Sequence, residues 1–172
     1  MEQLRYVAGL HPEKIILREK DLPQEQYEVL AAKVLEICRQ EQVELVLHYY
    51  PETAKKLGVK AVHLPMPLLR NMSSPDKEYF EVIGASTHSV EEALEAQRLG
   101  ASYITAGHVF ATDCKKGVPP RGVEFLRRVC EEVDIPVYAL GGICDANQQS
   151  CMDAGAAGVC RMSDFMRRLL LH

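Results

Sequence analysis

Tryptophan is absent from the 172 residues and aromatics reach only 6%, while 47% of positions are apolar and 26% charged, a composition that suits one globular domain. No apolar run approaches the ~20 residues of a membrane-spanning helix, which argues against a membrane partner. Met1 to Tyr6 opens the chain without the apolar stretch of a secretory signal, so a cytoplasmic protein is expected. Neither charge is in large excess. Twenty Lys and Arg against 24 Asp and Glu leave a net charge of −4, which disfavours a broad footprint for nucleic acid and requires that an anionic ligand be held locally. There is no Cys-x-x-Cys pair. Cys38, Cys114, Cys130, Cys144, Cys151 and Cys160 sit mostly in strand-like or helix-like segments, as reduced buried thiols do, and a zinc site is disfavoured. No Ser- or Pro-rich linker divides the chain, so residues 1–172 read as one domain. A domain of ~150 residues hides ~68–70% of its unfolded surface and needs no staple.

What is present is alternation. Strand candidates are Lys14 to Arg18, Val43 to His48, Lys60 to Leu64, Glu81 to Ser86, Ser102 to Val109, Pro136 to Leu140 and Gly158 to Met162. Between them, Gln24 to Gln40 repeats Tyr27, Leu30, Ala31, Val34, Leu35 and Cys38 at helical spacing. Ser89 followed by Glu92 reads as a capping box before a helix carrying Val90, Ala93, Leu94 and Leu99 and ending at Gly100. Gly122 precedes another helix, with Val123, Leu126 and Val129 on one stripe. Continuous β-α alternation with apolar strands predicts a parallel sheet covered by helices, because such strands are buried on both faces. A doubly wound sheet often carries an early G-x-G-x-x-G turn, and none occurs here. A TIM-type (β/α)8 barrel fits better.

Barrel chemistry sits at the carboxyl ends of the strands, and polar residues collect there. Arg18 and Lys20 close the first strand, His48 the second, His63 lies near the end of the third, Ser86 and His88 end the fourth, and His108 lies late in the fifth. A histidine on its own at such a position is as readily a core residue bonded to backbone; the cluster points to a functional cavity. The last two strands look like a phosphate cradle. One ends in Gly141-Gly142, which lets backbone N–H groups approach an anion. After the other, Met162-Ser163-Asp164 is expected to open a terminal helix whose N-terminus favours negative charge.

The segment Ala106-Gly107-His108-Val109-Phe110-Ala111-Thr112-Asp113-Cys114-Lys115-Lys116-Gly117, followed by Arg121-Gly122, resembles the central motif of the thiamin phosphate synthase and TenI superfamily, specifically the TenI-type thiazole tautomerases. Leu17 to Leu22 and Gly84-Ala85-Ser86-Thr87-His88-Ser89 are similar to earlier motifs of the superfamily, and Ile135 to Gly142 and Ala154 to Ser163 to its phosphate end. The resemblance thus runs from about Lys14 to Ser163. Synthases resemble one another in an Asn-Asp pair after the strand occupied here by Val43 to Leu47, and in a Gln and an Asp after Val-His-Leu-Gly. This chain has His48-Tyr49 and Val62-His63-Leu64-Pro65-Met66-Pro67 instead. A synthase Gln is replaced by Ile16, and the synthase Gly-Pro before Val-Phe is Gly107-His108. The first two departures remove the carboxylates that would anchor Mg²⁺, and all four disfavour magnesium-assisted pyrophosphate chemistry.

The resemblance to the tautomerases implies aromatisation of a thiazole carboxylate phosphate, by moving a proton from ring carbon to exocyclic carbon, with no metal or other cofactor. His108 matches the family's catalytic histidine, and an imidazole with a pKa near ~6.5 suits a proton shuttle. By the same match Gly141, Gly142, Met162 and Ser163 hold the phosphate, Ser86 and His88 line the pocket, Lys115 faces a ligand anion or solvent, and Arg18 and Lys20 remain from the synthases' pyrophosphate motif. Two alternatives stay open: a Mg²⁺-dependent thiamin phosphate synthase joining a pyrimidine pyrophosphate to a thiazole phosphate, and a non-catalytic protein that binds a thiazole or thiamin phosphate. A barrel of this type usually has ~200 residues or more. In the family Leu17 to Lys20 belongs to the second strand, so a seven-stranded barrel without its first βα unit is expected, with Leu4, Val7, Ala8 and Leu10 as the remains of the first helix. Exposed edges at the gap leave room for a homo-oligomer.

Overall fold

A computed structural model describes residues 1–115, 117–163 and 165. Helix α1 (Glu2–Ala8) precedes a regular alternation: β1 (Lys14–Leu17), α2 (Gln24–Gln40), β2 (Glu44–His48), α3 (Pro51–Leu57), β3 (Ala61–Pro65), α4 (Met66–Arg70), α5 (Ser74–Tyr79), β4 (Val82–Thr87), α6 (Val90–Arg98), β5 (Tyr103–Gly107), α7 (Gly122–Glu132), β6 (Val137–Leu140), α8 (Gln148–Asp153) and β7 (Gly158–Cys160). The seven strands lie in sequence order and every neighbouring pair is parallel. They curl into an open TIM-type barrel in which, among the described residues, β1 and β7 do not pair.

Local chemistry accounts for the elements. In β2 and β5 the residues are buried in succession, as central parallel strands covered on both faces require. Helix α2 follows Pro23 and turns Tyr27, Ala31, Val34, Ile37 and Cys38 inward, with Leu30 and Leu35 partly buried against the same core, so Ile37 joins the stripe that the periodicity suggested. Helix α6 is capped by Ser89, whose hydroxyl accepts from the Glu92 N–H at 3.1 Å. The returning carboxylate bonds the His88 N–H at 2.7 Å, one residue earlier than a regular capping box. The core between strands and helices is built on Tyr27, Val34, Leu47, Leu64, Leu69, Ile104, Leu126 and Val129. Each strand agrees with its sequence-based span to within two residues. Cys38 and Cys151 are buried; Cys130, Cys144 and Cys160 are only partly so, and all five are free thiols. The terminal helix expected after Ser163 and the Cys114 side chain lie outside the described residues.

Tyrosines tie the curl together. The Tyr27 hydroxyl donates to the Leu17 carbonyl (2.8 Å) and accepts from the His48 N–H (3.1 Å), clamping the carboxyl ends of β1 and β2. Inside the curl Tyr103 and Tyr138 meet edge to face at 5.5 Å. Tyr138 then donates to the carboxylate of Glu13, just ahead of β1, at 2.8 Å, so one side chain spans from β6 to the first strand.

Candidate active site at the carboxyl ends of the strands

Parallel strands of equal direction bring their carboxyl ends to one rim, and the residues singled out from the sequence gather there. Arg18 is exposed immediately after β1, with Lys20 two positions further on. His48 ends β2 and is buried, its ring stacked 5.9 Å from that of His63. His63 is placed differently from the expectation: it is central in β3 rather than near its end, and its side chain is buried. Ser86, half-buried in β4, bonds its Oγ to His63 Nε2 at 2.8 Å. His88 lies just past β4, with Nδ1 3.4 Å from the Glu92 carboxylate.

His108 also shifts, because β5 ends at Gly107 and leaves it as the first residue beyond the strand. It is nevertheless buried, its Nε2 3.3 Å from the Val118 carbonyl and its Nδ1 without a hydrogen-bond partner among the described residues. The segment that follows is held against the end of β6: Val109 N–H bonds the Leu140 carbonyl at 2.9 Å, and Phe110 N–H the Gly141 carbonyl at 3.0 Å. Lys115 closes a short 3-10 turn, Asp113–Lys115.

The glycine pair has a second reason to be glycine besides anion approach. Gly141 and Gly142 adopt φ of +104° and +65°, which L side chains rarely reach. A Cβ at Gly141 would stand 2.3 Å from the His108 Cβ, and one at Gly142 2.4 Å from the Ala111 carbonyl oxygen. The turn is thus packed directly on the His108 segment. Asn147, which sequence reasoning missed, pins it from the other side: Nδ2 donates to the Gly142 carbonyl and Oδ1 accepts from the Cys144 N–H, both at 2.9 Å. Met162 and Ser163 follow β7 and are exposed. Arg161, also unanticipated, lies beside them and bonds Asp145 at 2.7 Å.

Electrostatically the rim combines lysine and arginine charge with neutral imidazoles. Burial, and then the Arg18 charge, pushes His48 down to about 4. Burial, His48 and Arg18 together push His63 down to about 3. Burial, then Lys115 and more weakly Arg121, lowers His88, with Glu92 opposing them. Arg121 therefore belongs to the same mouth as Lys115; its position in the Arg-Gly motif was the available signal.

Thiamine monophosphate synthase is the description of the family model that matches residues 2–165. The chain belongs to that family. It is 36% identical over 149 residues to a protein named thiamine-phosphate synthase from Caldanaerobacter subterraneus, covering 83% of this chain and 68% of the other. It is 33% identical to thiamine-phosphate synthase 2 from Streptococcus pneumoniae, over 88% of this chain and 72% of the other. Among solved structures, the thiamine phosphate pyrophosphorylase from Pyrococcus furiosus superposes with a TM-score of 0.80 at 29% identity, covering 94% of this chain and 78% of that one. FabK from Thermotoga maritima, at 18% identity and TM-score 0.73, shares the fold.

A synthase of this family would need a place for Mg²⁺, whose ligands are oxygens in near-octahedral array. The ends of β2 and β3 offer His48, Tyr49, Leu64 and Pro65. Two carboxylates near the mouth are already engaged, Glu92 in capping α6 and Asp145 with Arg161. Among the described residues, no three His, Cys, Asp or Glu side chains cluster as an ion site. The ends of β2 and β3 therefore lack the carboxylates that Mg²⁺ would need there.

Proposed function

We propose that the chain acts in thiamin biosynthesis as a tautomerase of a thiazole carboxylate phosphate, with His108 carrying the proton. The observation that carries this reading is the state of the His108 ring. It is buried under the Gly141 turn, Nδ1 has no partner among the described residues, and its other nitrogen has one long contact to a carbonyl, which a ligand can readily replace. A ring that accepts at one nitrogen and donates at the other can take the proton from the ring carbon of the substrate and return it to the exocyclic carbon. The substrate's composition is unchanged, a double bond moves into the ring, and aromaticity drives the step. Gly141, Gly142 and Ser163 receive the phosphate at the rim beside His108; Met162 flanks it. Arg18, Lys20 and Lys115 supply positive charge, and Ser86 and His88 face the rest of the ligand.

The names of the relatives favour a second reading, synthesis of thiamin phosphate from a pyrimidine pyrophosphate and a thiazole phosphate. One set of incubations separates the two. The purified chain is given the thiazole tautomer phosphate alone, then with the pyrimidine pyrophosphate and Mg²⁺, and products are identified. Metal-independent aromatisation that His108→Asn lowers by ~10²–10⁴-fold, with phosphate binding retained, is the result expected for a general acid-base residue. Unchanged turnover in His108→Asn removes His108 from the mechanism. Mg²⁺-dependent release of pyrophosphate establishes the synthase, and saturable binding without conversion overturns both.

A further inference from the structure

The hydroxyl of Ser86 is held from behind by a buried relay. His63 places Nε2 2.8 Å from Ser86 Oγ and Nδ1 3.0 Å from Tyr103 Oη, with Thr105 Oγ1 a more distant neighbour of Nε2 at 3.4 Å. His63 is 3% exposed and Tyr103 4%, so neither reaches water freely. A neutral imidazole has one N–H, and its two nitrogens therefore play opposite roles.

Tyr103 decides which nitrogen carries the hydrogen. Burial drives its pKa far above the ordinary range, so the phenol keeps its proton. Among the described residues its hydroxyl has one hydrogen-bond partner, His63 Nδ1. A buried O–H left without an acceptor is costly, so it donates to Nδ1. Nε2 then bears the ring hydrogen and donates to Ser86 Oγ, which leaves the Ser86 hydrogen free to point into the mouth. The opposite tautomer would turn the Ser86 hydrogen inward and orphan that of Tyr103.

The backbone is arranged for this contact. His63, Gly84 and Tyr103 stand in one register row across β3, β4 and β5. A Cβ at Gly84 would lie 2.3 Å from Tyr103 Cζ and 2.5 Å from His63 Nδ1, so the tyrosine crosses β4 through the space that glycine leaves. The ring stays neutral at working pH, since burial, His48 and Arg18 all oppose its protonation.

We propose that His63 and Tyr103 are positioning residues that make Ser86 an obligate hydrogen-bond donor to an anionic oxygen of the bound ligand. The ligand part rests on the phosphorylated-thiazole reading above; the relay itself does not. Two measurements test it. In the ligand-free protein, long-range ¹H–¹⁵N NMR, with the signals assigned by their loss in His63→Gln, is expected to show His63 protonated at Nε2 and unchanged between pH 7 and 5. Protonation at Nδ1 overturns the relay. Calorimetric titration with thiazole carboxylate phosphate then reads the consequence. Ser86→Ala is expected to weaken binding by about 10- to 100-fold, the range for a hydrogen bond to a charged group. Tyr103→Phe, which keeps the ring over Gly84, is expected to weaken it by up to that amount, and the double variant to bind no worse than Ser86→Ala. Losses that multiply in the double variant overturn the proposal. Failure of the unmutated chain to bind the probe counts against the proposed ligand and is told apart, because the ring assignment is made without ligand.

Discussion

Replacing Gly141 by alanine perturbs the backbone and the His108 packing at once, and a comparison with Gly58 separates the two effects. Gly58 closes α3 in the left-handed region at φ +69° with nothing within 4 Å of the place an alanine methyl would take, so Gly58→Ala carries only the backbone cost, ~1–2 kcal/mol. Gly141 sits at φ +104°, and its added Cβ would be 2.3 Å from the His108 Cβ and 2.7 Å from the His108 Cα, close to main chain that has no freedom to rotate away. Overpacking of this kind adds ~1–3 kcal/mol, so Gly141→Ala should cost about 2–5 kcal/mol in all. For a domain of this size that corresponds to a fall in Tm of ~4–20 °C, against ~2–8 °C for Gly58→Ala. Urea unfolding with an unchanged slope against denaturant would measure both losses. Turnover adds a readout that stability does not give. Pushing His108 away by several tenths of an ångström or more should lower proton transfer by ~10²-fold at temperatures where the variant stays folded, while Gly58→Ala leaves it unchanged. A Gly141→Ala protein as stable as Gly58→Ala, with full activity, would refute the claim that the turn is packed against the His108 segment.

Two further predictions concern the clamp and the buried imidazoles. Tyr27→Phe removes a fully buried hydroxyl that bonds both the Leu17 carbonyl and the His48 N–H, so equilibrium unfolding should show a loss of ~2–5 kcal/mol; a loss below ~0.5 kcal/mol would mean the clamp is not needed. The folded-state pKa values of His48 and His63 lie near 4 and 3, below an unfolded value of ~6.5, so between these limits the unfolded chain binds more protons than the folded one. Stability therefore falls as pH drops below the unfolded value, by about 2 kcal/mol per ring at pH 5 relative to pH 7. Unfolding curves at the two pH values check this, and a His48→Gln protein should show roughly half the dependence; equal dependence in both proteins would assign it elsewhere.

The order of elements and the side of the barrel that carries chemistry were legible in the one-dimensional pattern. Parallel strands covered on both faces read as short apolar runs, the helices between them as stripes, and the fold places strand ends on a common rim, so Arg18, His48, Ser86, His88 and His108 pointed to one mouth from their positions in the chain alone. The terminal cradle was only partly accessible in the same way: Gly141-Gly142 announced a turn, but not that His108 packs beneath it, nor that Asn147 pins it.

Contacts between strands far apart in the chain were decided by the tertiary structure alone. His63 and Tyr103 are separated by 40 positions and touch because the registers of two strand pairs place them in one row with a glycine between. A slip of one residue in either pair would turn these side chains to opposite faces, and no local periodicity specifies that register. The residue types and their order therefore determined which groups reach the rim, while inter-strand register and side-chain packing determined which of them are neutral, partnered and aimed.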